Sequence, residues 1–128
     1  MTELITALCQ FHLTVGKVTR NQQADRYRYA GLADVLEVIR QPLLDAGLVL
    51  TQTFEGRDLI TTLWHTSGEA LASRLALPEV EQRGMNTCQA LGSAISYCRR
   101  YAILSILGLA TEDNDGASVE PAALGAPF

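Results

Sequence analysis

Residues Thr87 to Gly116, TCQALGSAISYCRRYAILSILGLATEDNDG, decide how the rest of the chain must be arranged. On a helical wheel Leu91, Ala94, Ile95, Cys98, Tyr101, Ala102, Ser105 and Ile106 share one broad face, while Gln89, Ser93, Ser96 and Arg100 share the opposite one. One amphipathic helix follows. Past Tyr101 the run Ala102 to Leu107 is apolar nearly all round, so the last turns must be buried on several sides before Gly108 stops them. Arg99 and Arg100 therefore stand where the helix passes from solvent into the core, about 100° apart around its axis. Arg99 borders the apolar stripe at Ile95 and Ile106, where a charge needs a partner group or a phosphate. The bland alternative is a solvated helix face paired with carboxylates.

Working upstream, three short segments with strand character precede this helix. Leu48 to Phe54 is the first, Glu55-Gly56-Arg57-Asp58 turns the chain, and Leu59 to His65 is the second. Thr66-Ser67-Gly68-Glu69 turns it again, and Ala70 to Leu77 is the third, stopped by Pro78. Turns this short predict an antiparallel meander. In the third strand Leu71, Leu75 and Leu77 point one way and Ala70, Ala72, Arg74 and Ala76 the other. The leucine face should meet the helix beginning at Thr87, which leaves Arg74 on a shallow surface of small residues. The connection 78–86 is polar, holds the Gly84 hinge, and offers Arg83 as a possible addition to a binding surface.

Further back, Leu4, Leu8, Phe11 and Val15 form a helical stripe with Ile5 beside it, and Gly16 is expected to end the run. His12, at the edge of that stripe, is read as a packed or surface residue. Gly31 can cap a second helix whose buried stripe is Leu32, Val35, Leu36, Ile39, Leu43 and Ala46. Pro42 lies inside the pattern and predicts a kink or break near Arg40-Gln41, and Gly47 suits the C′ position. Between the two helices, Lys17 to Ala30 holds the bases Lys17, Arg20, Arg26 and Arg28 against the single acid Asp25, with Tyr27 and Tyr29 interleaved. An extended conformation would put Arg26 and Arg28 on one side and the tyrosines on the other. Cations for phosphates and aromatic faces for bases are the ingredients of single-strand binding. The alternative is a polar loop whose tyrosines pin it to the core.

The 128 residues suffice for one core and hence one domain, expected over 1–116, with 117–128 a disordered tail. The formal charge of −4 is unevenly placed. Residues 1–110 carry all ten Lys and Arg and ten Asp and Glu, while Glu112, Asp113, Asp115 and Glu120 supply the remainder. A neutral body with clustered arginines can still bind phosphate. Cys9, Cys88 and Cys98 are odd in number and lack C-x-x-C spacing, which reads as small buried hydrophobes in a reducing compartment. Glu3, Gln10 and His12 interrupt the first apolar residues, against a signal peptide, and no apolar run is long enough to span a membrane. The chain is thus expected to be soluble and intracellular, with no membrane partner.

Converging catalytic groups are scarce. No phosphate-binding glycine loop, zinc spacing or calcium loop is present, and no cofactor is expected. Glu112, Asp113 and Asp115 could hold magnesium for a nuclease only with a further carboxylate and a water-activating base.

Gly92-Ser93-Ala94-Ile95-Ser96-Tyr97-Cys98-Arg99-Arg100-Tyr101-Ala102-Ile103, followed by Gly108 and Glu112-Asp113-Asn114-Asp115-Gly116, resembles the motif of the ERF family of phage single-strand DNA annealing proteins. A second block agrees: Tyr27-Arg28-Tyr29-Ala30, Leu32, Leu36, Pro42-Leu43-Leu44 and Gly47-Leu48. The likeness covers roughly residues 10 to 116; Cys98 and Gly31 depart from it, where a small residue and Ser are commoner. It implies ATP-independent annealing of complementary strands in homologous recombination, in the bacterial host cytoplasm, without enzyme activity. It also implies a fold like the ring-forming annealing proteins of break repair and, as a partner besides single-stranded DNA, a strand-coating protein.

The expected fold is therefore α+β: two N-terminal helices, a three-stranded antiparallel β-meander and a long helix packed across it, a β-β-β-α core. The expected DNA-binding residues are Lys17, Arg26, Tyr27, Arg28, Tyr29, Arg74, Arg99 and Arg100. The open edges of such a sheet predict a homo-oligomer in which the sheet continues between protomers, a ring by resemblance. The rivals are the magnesium nuclease and a structural oligomerisation module whose arginines serve subunit contacts.

Overall fold

A computed structural model describes residues 1–21, 31–79 and 86–110, with the side chains of 17–21 excepted. Helix α1 spans Thr2–Asn21, α2 spans Leu32–Asp45, strands β1, β2 and β3 span Leu48–Glu55, Asp58–His65 and Ala70–Ala76, and helix α3 spans Thr87–Leu107. The sheet is antiparallel in the order β1-β2-β3, with Val49 opposite Trp64 and Trp64 opposite Ala70. The expected α+β meander is present.

Alternation along the strands sets which face the helices cover. Leu48 of β1, Leu59, Thr61 and Leu63 of β2 are buried, so even positions of β1 and odd positions of β2 turn toward the helix layer. Leu71, Ser73 and Leu75 follow by register with Leu63, Thr61 and Leu59. Val49, Thr51, Ile60, Thr62, Trp64, Ala72 and Arg74 lie on the other face. Here the exposed Trp64 Nε1 donates to Thr51 Oγ1 at 2.9 Å.

The main core joins all three helices to two strands through Leu4, Phe11 and Val15 of α1, Val35, Ile39 and Leu43 of α2, Leu48, Leu63, and Ile103, Leu104 and Leu107 of α3. A smaller one, under the middle of α3, packs Cys98 and Ala102 on Leu59 with Leu77 alongside. Truncating Leu63, fully buried at the sheet centre, to alanine is expected to cost about 3 kcal/mol in a urea titration, within the usual range for a leucine deleted from a closed core. A loss below about 1 kcal/mol would mean that the helix layer does not seat on β2.

Several local expectations change. Helix α1 does not stop at Gly16 but runs to Asn21, which puts Lys17 and Arg20 on a helix rather than on an extended segment. A glycine inside a helix costs only about 1 kcal/mol against alanine, and the buried Val15 holds the turn in place. Helix α2 runs unbroken through Pro42. Pro42 is buried one turn from the helix end, and the carbonyl of Pro42 itself receives Ala46 N–H, so the ladder closes past it. Gly47 follows with φ +76°, as expected of a C′ residue. Among the cysteines only Cys98 is buried; Cys9 and Cys88 are exposed, since both fall on outer faces of their helices. Ser105 is exposed too, because Ile103, Leu104 and Leu107 turn the end of α3 onto the core by a neighbouring face.

The β2–β3 turn clamps the start of α1. Glu69 accepts the Leu4 N–H at 2.8 Å and pairs with the Met1 ammonium at 3.2 Å. Chiefly the Leu4 hydrogen bond, opposed by partial burial and helped by the ammonium, holds the Glu69 carboxyl below the usual carboxylate range. A lowered folded-state pKa stabilises at pH above the unfolded carboxylate's titration, and this contribution disappears as pH falls through the folded value. The urea midpoint of Glu69→Gln should therefore lie below wild type at pH 7, and the gap should close on acidification below about pH 4. A gap that stays constant with pH would overturn the clamp.

Candidate nucleic-acid interface

Helix α3 begins where Asn86 Oδ1 accepts the Gln89 N–H at 2.7 Å and ends where Gly108 adopts φ +71°. Between these caps Gln89, Gly92, Ser93 and Ser96 are exposed and line a shallow open trough on one side of the helix. One turn past Ser96 on that side comes Arg100.

The Arg100 guanidinium carbon sits 4.8 Å from the centroid of the Tyr101 ring. Tyr97, 55% exposed, lies 4.6 Å from Tyr101, ring centre to ring centre, tilted by 42°. A cation over an aromatic face is attracted by the ring quadrupole, by about 0.5–1 kcal/mol at exposed sites. Tyr101 therefore steadies a flat cation, and Tyr97 extends the aromatic surface next to it. The Tyr101 hydroxyl is buried and finds no hydrogen-bond partner among the described residues. Tyr101→Phe is therefore expected to leave the urea midpoint unchanged or raise stability by up to about 1 kcal/mol, because an unmatched polar atom is removed. A fall of that size would reveal a partner for the hydroxyl.

Arg99 is half-buried and turned toward the sheet. Its Nε donates to Gln52 Oε1 at 2.8 Å, while Gln52 Nε2 donates to the Arg99 carbonyl at 3.2 Å and to Thr61 Oγ1 at 3.0 Å. Thr61 is completely buried. A neutral amide orients this guanidinium without cancelling its charge, and among the described residues no carboxylate pairs with Arg99.

Arg74 is placed differently. It lies on the open face of the sheet, away from the helices, where Nη1 meets Asp58 at 2.6 Å and Nη2 meets Glu55 at 2.7 Å. Those carboxylates raise its pKa further, first Glu55 and then Asp58. Arg74 and Arg99 thus occupy opposite faces of the sheet, and one protomer does not unite them in a single trough. Lys17 is on α1 with its side chain outside the described residues. Arg26, Tyr27, Arg28, Tyr29, Arg83, the carboxylates at 112–115 and the tail also lie outside them.

Gln52, Thr61, Tyr97 and Tyr101 were not among the expected site residues. Gln52 leaves a trace in the sequence, because it is the one polar side chain at an inward position of Leu48-Leu50-Gln52-Phe54. Thr61 interrupts Leu59 and Leu63 in the same way. An inward amide facing an inward hydroxyl calls for a third polar group, and Arg99 is that group.

A three-helix layer on a three-stranded meander, with paired arginines and tyrosines on the closing helix, defines the class: an α+β domain with a basic, aromatic helix surface. The chain belongs to the ERF superfamily, whose family model matches residues 5–123. That membership points to recombination and strand annealing as the general area of function. No curated protein and no solved structure is significantly similar to the chain.

Proposed function

We propose that the protein binds single-stranded DNA and anneals complementary strands without ATP, as a homo-oligomer acting in phage homologous recombination in the bacterial host cytoplasm. One observation carries the proposal: within the family-matched region, consecutive residues of α3 carry a guanidinium oriented by an amide and a guanidinium over the Tyr101 ring, which itself packs on Tyr97. Planar guanidinium groups suit phosphate oxygens, and fixing them in advance reduces the ordering cost of each contact. Arg99 and Arg100 grip the backbone, the Ser93–Ser96 side of α3 lets it approach closely, and the bases stay outward to pair with a second strand. Lys17, Arg26, Tyr27, Arg28 and Tyr29 extend this surface in the proposal, and repetition across protomers turns weak contacts into affinity. Arg74, already held by two carboxylates, is the weakest member of the expected set. Among the described residues no helix is long and apolar enough to cross a membrane.

The test mixes the protein with two complementary oligonucleotides, free of nucleotide and metal, and follows pairing over time at several salt concentrations. Accelerated duplex formation, with log affinity falling by about 0.7 per phosphate contact against log salt, supports annealing. Strand cleavage that requires magnesium would replace it with a nuclease. Absence of any effect on either strand would leave a structural oligomerisation module.

A further inference from the structure

Among the described residues β1 and β3 are the two edge strands of the sheet, and each carries apolar surface that the helices leave partly exposed. At one edge α2 and β1 enclose a groove of about 310 Å³ lined by Leu36, Leu44, Leu48, Val49 and Leu50. Because both inward Leu48 and Leu50 and outward Val49 line it, the groove opens at the outer edge of β1. Leu44, on its rim, is 51% exposed. At the other edge Leu71 and Leu75 point to the helix side and, although α3 packs against β3, remain 39% and 38% exposed. Neither edge strand contains proline, and their unpaired backbone groups are a template for another strand.

We infer that β3 of one copy pairs with β1 of the next, bringing Leu71 to the α2–β1 groove and Leu75 to the exposed Phe54 farther along β1. This rests on the oligomeric part of the reading above and assigns its surfaces. Strands β1 and β3 run in the same direction, both being antiparallel to β2. A copy placed head to tail with its helices on the same side must therefore pair in parallel. Side-chain alternation then selects the register. Ala70 beside Val49 sets Leu71 beside Leu50, Ser73 beside Gln52 and Leu75 beside Phe54, all on the helix side, and Arg74 beside Thr53 on the open side. Leucine meets leucine or phenylalanine, and the only polar inward residues meet each other. A two-fold pairing of β1 with another β1 would leave Leu71 and Leu75 in water. The head-to-tail contact covers both patches, and it repeats from copy to copy.

Cysteine cross-linking tests the register. In a chain carrying Cys9→Ser and Cys88→Ser, Val49→Cys and Ala70→Cys are introduced together. Within one protomer these positions flank Trp64 on opposite sides, roughly 10 Å apart by strand spacing, beyond the reach of about 7 Å for a disulfide. Mild oxidation should therefore give a ladder of covalent species larger than dimer on a non-reducing gel, with neither single variant forming one. Covalent dimers from Val49→Cys alone would overturn the head-to-tail pairing in favour of the two-fold one. An oligomer with no ladder would overturn it as well. As a second readout, Leu71→Glu with Leu75→Glu should reduce the particle mass by light scattering to that of one chain, and an unchanged mass refutes the contact. A ladder without annealing activity would defeat the functional reading and leave this pairing standing; annealing without a ladder does the reverse.

Discussion

Replacing Arg99 and Arg100 together with alanine is expected to lower affinity for single-stranded DNA by about 10²–10⁴-fold, since each charged hydrogen-bonding group contributes about 1.5–3 kcal/mol. The log–log salt slope should also become shallower by about 1.4, the share of two phosphate contacts. Fluorescence anisotropy of a labelled oligonucleotide over a salt series measures both. The two effects separate a phosphate grip from a merely packed helix, because a distorted but still basic surface would lose affinity without losing slope. Arg99 also holds the sheet through Gln52, so the double variant must be shown folded by far-ultraviolet circular dichroism. Arg100→Ala leaves that link intact and should by itself remove about half of the slope change. Arg100→Lys keeps the charge but loses the flat group over Tyr101, and an intermediate affinity is expected. Unchanged binding and slope in the folded double variant would remove these arginines from the interface.

The second large effect is on stability. Gln52→Leu strips the partner from the Arg99 Nε–H and from the Thr61 hydroxyl at once, and both groups are at least partly withdrawn from water. A polar group left unmatched costs more than its hydrogen bond contributed, so a loss of about 2–4 kcal/mol in a urea titration is expected. Adding Thr61→Val and Arg99→Met to Gln52→Leu should recover much of it, because replacing the side chains of a polar cluster by apolar groups of similar shape removes the unmet donor of Arg99 and the unmet acceptor of Thr61. If Gln52→Leu alone changes stability by less than about 0.5 kcal/mol, the cluster does not tie α3 to β1. The triple variant would also report on function, since it keeps Arg100 while deleting Arg99.

Much of this architecture is legible in the residues themselves. The meander follows from Gly56 and Gly68 between alternating strands, and both take the positive φ that a tight reversal asks of glycine. The end of α3 follows from Gly108, whose cap is local chemistry. Arg74 on the alanine side of β3 follows from alternation. Where local signals misled, a small local cost was outweighed. Gly16 and Pro42 weaken a helix by a limited amount, and the burial of Val15 and of Pro42 with Leu43 carries the helices through. The exposed Cys9 and Cys88 show the converse, because residue type by itself does not select the buried side of a helix.

For the candidate site the division is sharper. Clustering of arginines along the chain does not give clustering in space, as Arg74 and Arg99 show: one strand's alternation sends Arg74 to the open side of the sheet, where Asp58 awaits it across one turn of the chain and Glu55 across two. Gln52 and Arg99 are 47 residues apart, and nothing within either segment reports the other.

By itself the sequence determined the order and type of the elements, the stop of its last helix and the family to which the chain belongs, since periodicity, turn chemistry and motif spacing act over a few residues. Only the tertiary structure decided which arginine is neutralised, which is oriented by an amide, and which sheet edges are left with partly exposed leucines. Those outcomes depend on distances between segments remote in the chain, and such distances exist only after the helices have been laid on the sheet.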